Sequence, residues 1–402
     1  MTSIKPLFFS APFVPPKPTK HKQRVGYHTA KKKIMTINSQ NQQIEIYDRS
    51  KEVKEFDDSK IGVKGLVDSG ITTIPRFFVH PPESFPSITT HPNPSDDHHR
   101  KEIPIIDLSF VHSHRRTIII DEIKEASRNW GFFQILNHGV PTDVLDRTIS
   151  SIKAFNEQSN EIKSKYYGRE MGKGIAFSTN FDLFQSKAAS WRDTLQMKTG
   201  PTPPHFDHIP EICRRELLEW DQQVQLLGET LMGLLSEGLG LEKDKLKEMS
   251  CLDSRLMVAH YYPYCPEPER TVGLKSHSDP GVLTVLLQDE IGGLQVKNGE
   301  DWIDVKPCSG ALVINIGDLL QMISNDEYKS VEHQVVANPF REPRVSSGVF
   351  FNPSKREDSY GPLPELVSAE KPAIYKQFTL TDFMRQFFSK ELEGKAIDYF
   401  KL

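Results

Sequence analysis

The chain has 402 residues, with 50 Lys and Arg against 54 Asp and Glu and a formal net charge of −4, so no basic excess draws it to nucleic acid or to an anionic membrane. Hydrophobic residues at 37% and charged residues at 26% describe an ordinary globular enzyme, expected as one large domain with appendages or as two joined layers. No run of about 18 apolar residues occurs, so no transmembrane helix is predicted.

Cys213, Cys251, Cys265 and Cys308 are scattered and lack CxxC pairing, which fits a reducing, cytoplasmic compartment and buried packing roles. Residues 1–34 carry Lys5, Lys17, Lys20, Lys22, Arg24, Lys31, Lys32 and Lys33, and no acid. Organellar transit peptides also lack acids, but a single arginine and few serines argue against targeting. An unstructured tail, or translation from a start upstream of Met35, is expected there, and residues 1–60 as a whole are expected to be disordered or a leader extension.

Residues 51–82 read as a short helix followed by an extended stretch into Pro75. Residues 84–101, rich in Pro and His, are the expected linker, with His91, His98 and His99 as loop residues. A strand is predicted over Ile103 to Leu108. A helix over Arg116 to Asn129 follows, striped by Ile119, Ile123 and Ala126 and stopped by Gly131. Phe132 to Leu136 is a second strand. Val144, Thr148, Ile152 and Phe155 mark another helix, and Val224, Leu227, Leu231 and Leu234 a further one ending at Gly238. After Cys251 the texture changes to short β-type runs between Gly, Pro and Asp, which argues a sandwich or jelly roll. Phe383, Phe387, Phe388 and Leu392 predict a closing amphipathic helix over residues 381–402.

Within the β-rich half, His277 and Asp279 lie two apart, and on a strand such residues point to one face. His333 can supply a third donor. Two imidazoles and a carboxylate form the facial triad of non-haem Fe(II) oxygenases, and catalytic zinc accepts the same set, so the triad alone leaves the metal open. Downstream, Arg344 and Ser346 again lie two apart. A guanidinium fork beside a hydroxyl suits the far carboxylate of a dicarboxylic acid, held bidentately.

These residues, with HYYPYCPEP (260–268), GGLQVKNGEDWIDVKP (292–307), NIGD (315–318) and SNDEYKSVEHQVVAN (324–338), resemble the plant 2-oxoglutarate- and Fe(II)-dependent dioxygenases. EIPIIDLS (102–109) and WGFFQILNHGVP (130–141) resemble the family's N-terminal part, and FDDSKIGVKGLVDSGITTIPRFF resembles the leader of the aminocyclopropanecarboxylate oxidase homologues. The resemblance implies an α+β fold: a double-stranded β-helix, or jelly-roll, core with an N-terminal helical layer and a C-terminal helix. Its divisions would be a mainly helical region at 61–250, a catalytic β-helix at 251–355 and a helical segment at 356–402.

The resemblance further implies Fe(II) on His277, Asp279 and His333, and 2-oxoglutarate on Arg344, Ser346 and Tyr262, with ascorbate as reductant. It places Phe177, Phe181 and Trp191 at the border of a substrate mouth. Phe350 shares the face of Arg344 and Ser346 by parity, which suggests a ring at the substrate end. His260 stands where many members carry Asn, and is expected to support the site without ligating the metal. Asn315 and Asp318 in NIGD read equally as a turn or as structural residues near the metal.

The expected function is hydroxylation of a small specialised metabolite by a monomer, using dioxygen and releasing succinate and carbon dioxide. Two other readings stand beside it: an ascorbate-dependent aminocyclopropanecarboxylate oxidase forming ethylene, and a non-catalytic small-molecule receptor on the same fold.

Overall fold

The computed structural model describes residues 47–82, 101–170, 172–389 and 395–402. The basic tail, Met35, His91, His98, His99 and Leu392 lie outside the described residues.

Helix α1 (Arg49–Ser59) begins where the Asp48 side chain accepts a hydrogen bond from the Lys51 amide, and ends at left-handed Lys60. It buries Val53 and Phe56 in a cluster with Phe77, Phe78 and Trp191, beside α2 (Gly62–Asp68). The compact unit runs over Asp48–Leu402, and α1 belongs to it. The apolar pair Val53 and Phe56 ties it there, each contributing about 1.5–3 kcal/mol on burial.

Strand β1 (Ile105–Asp107) leads into α3 (Arg116–Asn129), whose Ile119, Ile123 and Ala126 are buried as their spacing predicts. Gly131 turns the chain with φ 64°, and a Cβ there would stand 2.2 Å from the Lys329 carbonyl oxygen, so only glycine fits. Strand β2 (Phe132–Leu136), helices α4 (Thr142–Asn156) and α5 (Asn160–Lys163), and strands β3 (Ile175–Ser178) and β4 (Asp193–Lys198) follow. The long α6 (Arg214–Gly238) and the short α7 (Lys245–Glu248) complete the first half.

The second half supplies β5 (Ser254–Tyr262), β6 (Val272–His277), β7 (Leu283–Gln288), β8 (Leu294–Asn298), β9 (Asp301–Asp304) and β10 (Leu312–Ile316). Helix α8 (Asp318–Ile323), strands β11 (His333–Val336), β12 (Arg344–Asn352), β13 (Ser359–Tyr360) and β14 (Phe378–Thr379), and α9 (Leu380–Ser389) close the fold. Of the helix expected over 381–402, α9 is described through Ser389, residues 390–394 lie outside the described residues, and Ala396–Phe400 is a 3₁₀ turn rather than α-helix.

An eight-stranded sheet in the order β1-β2-β10-β7-β12-β5-β4-β3 faces a four-stranded sheet in the order β6-β11-β8-β9. Alternation divides the large sheet. One face sends Met257, Ala259, Tyr261, Val345 and Val349 into a core shared with α3, α4 and α6. The other sends Tyr262, Val313 and Phe132 into a smaller core with Leu294, Val296 and Val335 of the four-stranded sheet. Because β2 pairs with β10 and β4 with β5, the large sheet is built from both halves of the chain. Strands from the first half complete a sheet that the second half alone would leave with open edges.

Candidate metal centre

His277 closes β6 and His333 opens β11, and the antiparallel register sets them directly opposite each other, ring centroids 4.2 Å apart. Asp279 lies beyond the end of β6 rather than on a strand as expected. What brings it back is a set of local bonds. Its backbone oxygen accepts from the Asp318 amide at 2.7 Å, and its Oδ2 accepts from Thr284 Oγ1 at 2.6 Å and Asn315 Nδ2 at 2.8 Å. Gly317 permits the approach, since a Cβ there would meet the Gly281 carbonyl oxygen at 2.1 Å.

With Oδ2 occupied, Oδ1 faces both imidazoles, 3.5 Å from His277 Nε2 and 3.6 Å from His333 Nε2. Each ring turns Nδ1 to a backbone carbonyl, Lys275 at 2.9 Å and Val331 at 3.4 Å. A carbonyl only accepts, so Nδ1 carries the proton and the Nε2 lone pairs point to the carboxylate. The ligand atoms all lie within 4.8 Å of one another, the arrangement that can hold one metal ion.

The charges agree with a cation. Burial pushes the His333 imidazole down to about 4, so it is neutral at pH 7. Burial alone would raise the Asp279 carboxyl, but its histidine neighbours and hydrogen-bond donors outweigh burial and hold it well below the usual carboxylate range. Among the described residues no Lys or Arg pairs with Asp279. A buried, ionised carboxylate without a counter-charge is costly, and a divalent ion on these donors would offset that cost.

Facing this cluster is a polar row on the large sheet. Arg344 is opposite Tyr262, Ser346 opposite both His260 and Gln288, and Phe350 opposite Thr284, so all share one face. Arg344 is 2% exposed. Its Nη1 donates to Ser346 Oγ at 3.2 Å and its Nη2 to Gln288 Oε1 at 2.9 Å, its Nε has no partner, and its guanidinium lies 4.8 Å from the Tyr262 ring centre. No carboxylate of the described chain lies within ion-pair distance of it.

Residues 254–353 match the model of the 2OG-Fe(II) oxygenase superfamily, and residues 103–214 match that of the non-haem dioxygenase in morphine synthesis N-terminal region. The 1-aminocyclopropane-1-carboxylate oxidase homolog 3 of Arabidopsis thaliana is 47% identical over 363 residues, 89% of this chain and 98% of that protein. Homolog 4 of the same plant is 45% identical over 361 residues, 89% of this chain and all of that protein. The chain belongs to the 2OG-Fe(II) oxygenase superfamily.

Among solved structures, JOX2 in complex with 2OG, Fe, and JA superposes with a TM-score of 0.73 at 31% identity, over 85% of this chain and 97% of that one. The dioxygenase for auxin oxidation of rice shares the fold, with a TM-score of 0.64 at 23% identity over 75% of this chain and all of that one. The oxygenase is thus an oxidoreductase of the double-stranded β-helix fold, with Fe(II) and 2-oxoglutarate as the cofactor and cosubstrate of its family.

The oxygenase brings His277, Asp279 and His333 together, and groups Arg344, Ser346 and Tyr262 opposite them. Phe350 lies on the same face, beside Thr284. Two expected pocket residues are corrected. Phe177 pairs with Leu195 on the helix side of the large sheet and is buried against Phe155 and Tyr167. Trp191 is buried against Phe78, and its Nε1 donates to the Tyr264 carbonyl at 3.1 Å, pinning the N-terminal segment. Phe181 is 62% exposed, its ring beside Phe388 of α9.

Asn315 is revealed as a carboxylate anchor rather than a mere turn residue, and Asp318 accepts from Ser278 Oγ at 3.0 Å while burial pushes its carboxyl up to about 6. Thr284 and Gln288 were not singled out from the sequence. They are the polar pair, four apart, in the otherwise apolar strand Leu283–Gln288, and that parity was the available signal.

Proposed function

We propose that this oxygenase hydroxylates a small specialised metabolite in the cytoplasm, with 2-oxoglutarate converted to succinate and carbon dioxide. The observation that carries the reading is Arg344: a buried guanidinium without an ion-pair partner, on the face opposite the His277, Asp279 and His333 donors. In this reading the three donors hold Fe(II). The bound iron supplies the dioxygen activation that couples oxidative decarboxylation of 2-oxoglutarate to hydrogen removal from the organic substrate.

The chain's own residues bind, orient and exclude water. Arg344 grips the distal carboxylate of 2-oxoglutarate through its fork, Ser346 and Tyr262 add donors, and Gln288 fixes the fork's angle. Thr284 and Asn315 keep Asp279 Oδ1 turned to the metal. His260, its Nδ1 3.0 Å from Thr194 Oγ1, stands opposite Ser346 in the same row and supports it. Phe350 offers the substrate an apolar wall. Ascorbate serves to keep the iron reduced, and the chain acts as a monomer on a small molecule and dioxygen, without nucleic acid or membrane. Among the described residues no helix is long and apolar enough to cross a membrane.

The kinship with aminocyclopropanecarboxylate oxidase homologues keeps the ethylene-forming reading in view. Cosubstrate dependence separates the two. A screen of plant aromatic, alkaloid and terpenoid acceptors should find succinate formed in step with product and requiring 2-oxoglutarate. Ethylene from aminocyclopropanecarboxylate, with ascorbate and no 2-oxoglutarate, would replace this reading by the other.

A further inference from the structure

A second buried guanidinium flanks Tyr262. Arg192 is 4% exposed and immediately precedes β4, where Asp193 pairs with Tyr261 of β5. Since β5 lies between β12 and β4, Arg344 stands on one side of Tyr262 and Arg192 on the other. Its Nη1 donates to the Gly273 carbonyl of β6 at 3.3 Å and to Asn180 Oδ1 at 3.4 Å, so the guanidinium lies between the two sheets. Two residues on, Thr194 bonds His260 on the same side.

Arg192 has no ion pair among the described residues, and its Nε has no partner. The carboxylates that act on it are committed elsewhere. Asp182 pairs with Lys275, and Asp193 accepts from the Val63 and Lys64 amides and from Thr179. Burial pushes the guanidinium's affinity for its proton down, as expected of a cation that lacks its anion. Burial first, then the fields of Arg192 and Arg344, holds His260 well below its ordinary value, so it stands neutral and adds no charge.

In the oxygenase reading the distal carboxylate of 2-oxoglutarate goes to Arg344, which leaves the Arg192 guanidinium still without an ion-pair partner among the described residues. We infer that Arg192 is an anchor for a carboxylate on the organic substrate, so that this oxygenase acts on an organic acid. The inference rests on the oxygenase reading, and takes that reading further by naming the substrate class.

The test uses the full chain loaded anaerobically with Fe(II) and 2-oxoglutarate, as wild type, Arg192→Gln and Arg192→Lys. Benzoate, cinnamate and geranate, each beside its methyl ester, are titrated by thermal shift, which needs no turnover. At least one acid should bind about tenfold or more tighter than its ester. That preference should vanish in Arg192→Gln and survive in part in Arg192→Lys. Equal binding of acids and esters, absence of acid binding, or a preference that persists in Arg192→Gln overturns the inference. In parallel, 2-oxoglutarate affinity, read from its charge-transfer absorption on Fe(II), should stay within about threefold of wild type in Arg192→Gln, and that band certifies the variant's fold. A loss as large as that of Arg344→Lys would make Arg192 a cosubstrate residue and also overturn the inference. Absence of the band in the wild type would instead count against the oxygenase reading, whatever the acids do.

Discussion

Thr284 Oγ1 donates to Asp279 Oδ2 at 2.6 Å, and this bond, with that of Asn315 to the same oxygen, turns the free oxygen Oδ1 to both histidines. Partners of this kind are typically worth 10–100-fold in metal affinity. Thr284→Val and Asn315→Ala should each weaken Fe(II) binding by about that factor while the fold persists. Titration of the metal-free protein with Fe(II) or Co(II) under nitrogen measures it, and wild-type affinity in both variants would show that Asp279 is oriented by other means.

Arg344→Lys keeps the charge but loses the fork. Hydrogen bonds to charged groups contribute about 1.5–3 kcal/mol each, so the KM for 2-oxoglutarate should rise by roughly one to two decades. Ser346→Ala removes a neutral donor, and Gln288→Ala frees Nη2 to wander, so each should cost less. Iron content is checked separately in each variant. An unchanged KM in Arg344→Lys would place the carboxylate elsewhere.

Phe56 of α1 packs its ring 5.4 Å from Phe77 and 5.7 Å from Phe78. Phe56→Ala should destabilise by about 3–5 kcal/mol, read by denaturant unfolding. A chain beginning at Met35 should keep full activity, whereas one beginning at Ile61 should lose stability, having lost the cluster that Val53 and Phe56 fill. Equal melting temperatures for these two truncations would deny α1 a structural role.

Acid should weaken the fold through its buried histidines, including two that are not proposed as metal donors. Burial lowers the folded-state pKa of His80 and of His138 below the ordinary 6.5. The unfolded chain therefore takes up these protons first as pH falls. Stability should be fully present above about pH 6.5, decline as pH drops below it, and level off once the folded histidines also protonate. Melting curves of the metal-free protein between pH 7.5 and 4.5 give the slope, which His80→Gln should flatten. A slope identical to wild type would remove His80 from the account.

The grouping of His277, Asp279 and His333, which could hold a metal ion, and of the Arg344 row was legible in the sequence because each cluster is set by short-range parity or by a few residues of fixed chemistry. His277 and Asp279 are near neighbours, and Arg344, Ser346 and Phe350 alternate along one strand. Even so, Asp279 reaches the site from the irregular stretch after β6, held by Thr284 and Asn315 from two other strands, and no local pattern states that. Phe177 and Trp191 were misplaced because an apolar ring says only that it is buried. Which side of the sheet it faces depends on the pairing of β3, β4 and β5, a relation between distant segments. Arg192 directly follows Trp191, but that its guanidinium makes no ion pair is seen only once Asp182 is found on Lys275 and Asp193 on the Val63 and Lys64 amides.

The most direct test of the central claim is the ratio of succinate formed to dioxygen consumed with an accepted substrate, in the wild type and in His277→Ala, Asp279→Ala and His333→Ala. The account predicts about one succinate per dioxygen in the wild type with Fe(II), and no turnover in the three variants or with zinc, which lacks redox chemistry. Turnover with zinc in the absence of dioxygen, or succinate formation that survives loss of Asp279, would contradict it.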